Sequence, residues 1–201
     1  MKTKVFLIGG APGAGKTTLG TALASKLGIT SLSIDDLLTA AQAVTTPESH
    51  PGLHFMRGQP FQEYFTYSSV ERLKADATLQ HEAAWPIVKR VIRKHASWGF
   101  AIVIDGWHLR PSAVSQLREE NIWSGWIVLS ASVLDERERK NKDWLKGSPD
   151  PERMLENFLA RSFWYNTLIK EQAAELQMNI LVQNGEKSVE ALCQMVLDTA
   201  E

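Results

Sequence analysis

With 201 residues the chain is long enough to enclose a hydrophobic core without disulfides or metals, and a single domain over 1–201 is expected. Its 44% hydrophobic and 22% charged residues exclude disordered and fibrous classes, and no apolar run approaches the roughly 20 residues of a bilayer-spanning helix, so no membrane partner is expected. A formal net charge of −1 with interspersed signs advertises no cationic face for nucleic acid, while the single cysteine, Cys193, and an apolar start too short for a signal peptide fit a cytoplasmic protein.

Five short apolar runs, 4–8, 30–34, 100–104, 125–129 and 178–182, predict strands, four of them separated by helical patterns. Runs that are apolar at nearly every position and alternate with helices imply a parallel sheet buried on both faces, so the class is α/β. A helix is expected over 16–27, with Leu19, Ala22, Leu23 and Leu27 on one face and Gly28 as its stop. A long insertion comes next, 36–98, too large for a simple crossover. Pro47, Pro51, Gly52, Gly58 and Pro60 mark its loop-rich first half; 61–95 is helical in composition, with a break or kink expected at Trp85-Pro86. Ser132-Val-Leu-Asp135 reads as a capping box opening a helix rich in Arg and Lys. Asp150-Pro151 supplies an N-cap and first-turn proline for a long helix striped by Leu155, Phe158, Leu159, Ile169, Ala173 and Leu176, and a last amphipathic helix is expected over 188–199.

The loop after the first strand, Gly10-Ala-Pro-Gly-Ala-Gly15-Lys16-Thr17, satisfies Gly-x-x-x-x-Gly-Lys-Thr. Glycines let the backbone curl so that the N–H groups of Gly10, Ala11, Gly13, Ala14, Gly15, Lys16, Thr17 and Thr18 can face phosphate oxygens, and the helix beginning near Gly15 adds its positive end. Lys16 places a charge beside the β- and γ-phosphates of a nucleoside triphosphate, and the Thr17 hydroxyl can ligate Mg²⁺. Guanine specificity lacks support: Asp105-Gly-Trp-His does not match Asp-x-x-Gly, and Asn141-Lys-Asp-Trp144 does not match Asn-Lys-x-Asp. ATP and Mg²⁺ are the expected cofactors.

Asp105 ends the third strand at the rim where open parallel sheets collect ligands, and is assigned to the metal site with Thr17; capping of the next turn is the alternative. Asp35 and Asp36 come directly after the second strand. Asp35 is the candidate to orient or deprotonate an attacking hydroxyl, and Asp36 the candidate helix cap. Among the cations of Arg137, Arg139, Lys140, Lys142, Lys146, Arg153 and Arg161, Arg161 stands out because it lies among apolar residues, where an unpaired charge is costly. Lys16, Asp35 and Arg161 are therefore the catalytic candidates. His50, His54, His81 and His95 show no metal-ligand spacing and read as ordinary.

The phosphate loop, Ser33-Ile-Asp-Asp36, Ile104-Asp-Gly-Trp-His-Leu-Arg-Pro111 and Glu156-Asn-Phe-Leu-Ala-Arg161 together resemble the ordered motifs of the 2-phosphoglycerate kinase-like P-loop proteins, over most of the chain. The resemblance implies the nucleoside monophosphate kinase group: a three-layer α/β/α fold with strand order 2-3-1-4-5, an acceptor-binding insertion at 36–98 and a lid at 132–161. By the same resemblance Lys16 and Thr17 hold phosphates and Mg²⁺, Asp35 faces the acceptor, Asp105 supports the metal, and Arg161 belongs to the lid. Two departures stand out: the family's Glu-Gly-Val-His is here Asp105-Gly-Trp107-His108, and its Arg-rich lid is partly Lys. Trp107 either fills space beside the acceptor or packs in the core; His108 and Arg110 either touch an anionic acceptor or belong to a surface loop. The expected activity is transfer of the γ-phosphate to a hydroxyl of a small-molecule acceptor, such as a phosphorylated acid. An antibiotic, nucleoside or sugar kinase of the same fold, or an ATPase switch without acceptor, are the alternatives.

Overall fold

Alternation along the first strand divides the interior into two cores. In the computed structural model, which describes residues 3–200, β1 (Val5–Gly10) sends Phe6 and Ile8 into one core and Val5 and Leu7 into the other, all four fully buried. On either side it pairs in parallel with β3 (Ile102–Asp105) and β4 (Ile122–Leu129); β2 (Thr30–Ser33) flanks β3 and β5 (Asn179–Gln183) flanks β4. The sheet order is therefore 2-3-1-4-5, as the family resemblance implied.

One face is covered by α1 (Lys16–Leu27) and α8 (Val189–Thr199) through Leu19, Leu23, Leu192 and Val196. The other is covered by α4 (Val70–Ser97) and α7 (Pro151–Glu175) through Val88, Ile92, Tyr165 and Ile169. The remaining helices, α2 (Ile34–Ala43), α3 (Phe61–Tyr67), α5 (Pro111–Val114) and α6 (Ala131–Lys140), gather at the end of the sheet where the strands finish. Among the described residues no helix is long and apolar enough to cross a membrane.

Several local expectations are corrected. The sheet is not buried at every strand: on β2, which stands at the edge of the sheet, Thr30 and Ser31 are exposed. The cap of α6 is Ser130, whose hydroxyl accepts from Val133 N–H, not Ser132. Asn166 of α7 bonds both the N–H and the C=O of Leu129, ending β4 there and starting the helix at once. The long insertion divides at Ser68 and Ser69, and Ser69 caps α4. Pro86 does not break that helix, which continues over 28 residues. The missing N–H leaves the Glu82 carbonyl without its helical donor, while Ala84, Val88 and Ile92 are buried in the core on both sides of the proline.

Trp126 of β4 is fully buried, and its Nε1–H donates to Leu109 C=O at 2.6 Å, tying the loop after β3 to the sheet. Gly9 leaves room for that indole: a Cβ there would collide with the ring and approach Leu109 O to 3.1 Å. Gly9→Ala is therefore expected to lower stability by about 1–3 kcal/mol through overpacking, with the midpoint of urea unfolding falling and its slope unchanged.

Candidate active site

Between β1 and α1 the chain turns through Gly13 (φ +77) and Gly15 (φ +88), left-handed conformations that a side chain resists. Ala14 N–H closes the turn on Ala11 C=O at 3.1 Å, and Lys16 Nζ also donates to Ala11 C=O, at 2.9 Å. The loop thus wraps its own lysine. Ala11 and Ala14 face the interior, while Gly13, Thr17 and Thr18 lie open on the outer side. Burial lowers the Lys16 pKa to about 8, against the upward pull of Asp35, Asp105 and Glu138.

Asp105 lies at the foot of this loop, buried, and accepts a hydrogen bond from Thr17 Oγ1 at 2.8 Å. Gly20, one turn into α1, permits the approach, since a Cβ there would press on Asp105 Oδ1 at 3.3 Å. Burial raises the Asp105 pKa; the Thr17 hydrogen bond and Lys16 lower it, and Asp35 and Asp36 raise it further. The capping alternative does not hold, because α5 starts after Arg110 without a side-chain cap. A hydroxyl and a carboxylate beside a phosphate-sized cradle form an all-oxygen donor set of the kind Mg²⁺ accepts.

Asp35 emerges in the first turn of α2, where Ser33 Oγ accepts from Asp35 N–H at 3.3 Å. Ser33, not Asp36, is therefore the cap. The Asp35 side chain is 73% exposed and opens on the cleft, so the upward push its surroundings give the carboxyl is limited, with Lys16 opposing it and Asp36 adding to it. His108 Nδ1 stands 3.9 Å from Asp35 Oδ1, beyond hydrogen-bond distance.

Lys16, Asp35 and Arg161 line one cavity of about 400 Å³, with Gln80, Trp107 and Phe65 completing its inner wall. Arg161 lies on the inner face of α7, apart from the cations of α6, and is 6% exposed. Its guanidinium lies 4.5, 4.9 and 5.2 Å from the ring centroids of Phe65, Trp107 and Phe158. Among the described residues no carboxylate pairs with it, and its Nε has no hydrogen-bond partner. Burial lowers its pKa to about 10, so it stays cationic at neutral pH. Trp107 is a wall of this cavity, with its backbone C=O held by the Tyr165 hydroxyl.

The other cations of 132–161 divide. Arg139 pairs with Asp135 and Glu152, Lys140 with Glu136 and Lys146 with Asp143, all on exposed faces. Arg137 instead donates to the loop carbonyls of Gly13 and Ala14, at 3.4 and 3.2 Å. Its neighbour Glu138 is buried against Gly13; burial raises its pKa and Lys16 lowers it. Sequence reasoning missed Glu138 and Gln80 and dismissed His81. A signal for the last two lay in the inner stripe of α4, Leu73, Ala77, Ala84 and Val88, into which Gln80 and His81 insert polar groups at helical spacing.

A family profile described as AAA domain matches residues 5–120, more than half of the chain, from β1 past Asp105. The 2-phosphoglycerate kinase of Pyrococcus horikoshii is 27% identical over 134 residues, 66% of this chain; the chain spans less than half of that relative, 44% of its length. Shikimate kinase from Bacteroides thetaiotaomicron shares the fold with a TM-score of 0.54 at 19% identity, covering 96% of both chains. A gluconokinase from Sinorhizobium meliloti 1021 does so with a TM-score of 0.55 at 18% identity, covering 96% of this chain and 89% of that one. The chain thus belongs to the AAA domain family, whose match takes in the glycine-rich turn around Lys16 and strands β1 to β3, and it has the fold of P-loop small-molecule kinases.

Proposed function

We propose that this chain is an ATP- and Mg²⁺-dependent phosphotransferase that moves the γ-phosphate to a hydroxyl of a small acid, with residues 36–98 as its acceptor-binding insertion and 132–161 as its lid region. One observation carries the reading: a phosphate-loop lysine, an open carboxylate and a buried arginine without an acidic partner face the same cavity. The arginine selects the acceptor class. An uncompensated guanidinium held among three aromatic rings favours a carboxylate or phosphate entering the cavity, and its planar fork suits either. The Pyrococcus relative is named for such an acid, 2-phosphoglycerate.

In this reading the loop N–H groups and Lys16 hold the triphosphate, while Thr17 and Asp105 hold Mg²⁺, which when bound offsets the charge of the phosphate oxygens. Arg161 anchors the acceptor's acidic group and thereby sets its hydroxyl toward Lys16. Asp35 takes the hydroxyl proton as the acceptor oxygen bonds the γ-phosphorus and the bond to the bridging oxygen of ADP breaks. Because the transition state is loose, positioning and charge neutralisation outweigh base strength. Trp107 closes the cavity behind the acceptor.

The test is acceptor-dependent ADP release with Mg-ATP and a panel of 2-phosphoglycerate, shikimate, gluconate, neutral sugars and nucleosides. At least one acid should raise turnover above the acceptor-free rate. Arg161→Gln should raise the acceptor KM by about tenfold or more, the worth of a charge-assisted contact, and leave the ATP KM in place. Asp35→Asn should spare ATP binding and cut kcat by about 100-fold, whereas Lys16→Ala should lose both. Equal loss of ATP affinity in the Lys16 and Asp35 variants, or ADP release that no acceptor raises, would overturn the reading.

Lys16 provides a second check. In the nucleotide-free protein its amine should titrate near pH 8, read from the ¹³Cε resonance of labelled lysine, and Mg-ATP should move that midpoint upward. Binding then requires a proton above pH 8, so ATP affinity should fall by about tenfold per pH unit until the pKa of the complex is reached. The sign for folding is opposite. Between pH 8 and 10.5 the unfolded chain keeps a proton that folded Lys16 has lost, so this group adds stability to the nucleotide-free protein as pH rises.

A further inference from the structure

Behind the wall of the reaction cavity lies a second one, of about 300 Å³, lined by His81, Glu82, His108, Arg110, Ala113 and Gln116. The two share no lining residue. Gln80 and Trp107 face the first, while their chain neighbours His81 and His108 face the second. The rings of His81 and His108 pack against Trp107, with centroids 4.4 and 5.0 Å away, so the core accounts for their carbons but not for their nitrogens.

His81 is 3% and His108 2% exposed, and their ring centroids lie 5.0 Å apart. None of the four ring nitrogens meets a hydrogen-bond partner in the protein, and neither does Arg110 Nε, although Arg110 Nη2 donates to Thr78 Oγ1 at 3.3 Å. Each buried polar atom left without a partner costs about 1–3 kcal/mol. Five such atoms lie just behind the lining of one small cavity, and turning those side chains toward it would let a polar occupant satisfy them. Burial, reinforced by neighbouring groups that include Arg110 and Arg161, lowers the His81 pKa well below its usual value and that of His108 to about 3. Each ring is thus neutral and offers one N–H donor and one acceptor nitrogen.

We propose that this rear cavity is a binding site for a compact hydroxy-carboxylate, its carboxylate on Arg110 and its hydroxyl between the two imidazoles. A neutral imidazole pair suits a hydroxyl, which donates to one ring and accepts from the other. The lining carries one cation, Arg110, and one acid, Glu82, which already attracts it, so a ligand with a single negative charge fits this balance better than a phosphate. A volume of about 300 Å³ stands at the lower end of small-molecule pockets, and Trp85 and Ala113 give the ligand's carbon frame an apolar side. Through His108, whose Nδ1 also faces Asp35, a molecule bound behind the wall is one ring away from the residue in front of it.

The test tracks the histidine ring ¹H and ¹⁵N resonances of the full-length protein, without nucleotide, during titration with glycolate and, separately, with inorganic phosphate. Glycolate should move His81 and His108 saturably and leave His50, His54 and His95 in place; phosphate should leave all five. Arg110→Gln should weaken glycolate binding at least tenfold, and Arg161→Gln should not. Should Arg110→Gln fail to fold, Ala113→Leu, which fills the cavity and keeps every polar group, should block the shifts. No saturable shift, equal shifts with phosphate, or loss in Arg161→Gln with retention in Arg110→Gln or Ala113→Leu would overturn the site. No phosphoryl transfer enters these readouts, so this proposal and the kinase reading fail separately.

Discussion

The register of three parallel strands is the constraint on which the rest depends. Ile8 pairs with Asp105 and Ser33 pairs with the same Asp105, so β2 and β3 finish level and β1 runs two residues further beside β4, to Gly10. The residues that leave these strands are therefore delivered to one rim: the glycine loop after β1, Asp105 at the tip of β3, and Asp35 just past β2. Thr17 then closes the arrangement with its 2.8 Å bond to Asp105, joining helix α1 to the tip of β3, the strand beside its own. A slip of one residue in either pairing would turn Asp105 to the opposite face and remove that bond. The chemistry of the site is thus held by sheet geometry, and its loops need supply only short reach.

The opposite wall of the cavity is held differently, by helix α7. Asn157 donates to the carbonyls of Phe65 and Ser68, Asn166 grips Leu129, and the Tyr165 hydroxyl binds the backbone of Trp107. A single helix thereby fixes α3, the end of β4 and the back wall of the cavity. Arg161 lies between these anchors on the same helix, which is why a long flexible side chain can stay in one place among Phe65, Trp107 and Phe158.

This division explains what was legible in the sequence. The loop Gly10–Thr17 was readable because its chemistry is local: the glycines, the lysine and the hydroxyl are contiguous. Asp35 and Asp105 were readable because strand tips of a parallel sheet are where ligands gather. The order of the strands came from family resemblance, since periodicity carries no information on which strand neighbours which. Arg161 was recognised as an anomaly, yet its aromatic surroundings were not, because only the tertiary packing of α7 distinguishes it from Arg139 and Lys140, which pair on exposed faces. The Ser130 cap was missed for a related reason: the end of β4 is set by Asn166, a residue 37 positions away. His81 looked ordinary because a histidine spaced for no metal carries no local signal.

The charges of the rim also bear on what it can bind. Asp35, Asp105 and Glu138 all act on Lys16, and each of the three is pushed toward its neutral form by its surroundings. A triphosphate alone would meet this acidic ring with Lys16, the loop N–H groups and Arg137 beside it, and Arg137 Nη1 is already turned to the Gly13 and Ala14 carbonyls. Under the proposed reading the acids are tolerable because Thr17 and Asp105 recruit a divalent cation along with the phosphates, turning the most buried carboxylate from a repulsion into a ligand. The same reasoning sets Glu138 apart. It lies against Gly13, so its charge is a cost to polyphosphate binding for as long as α6 rests on the loop.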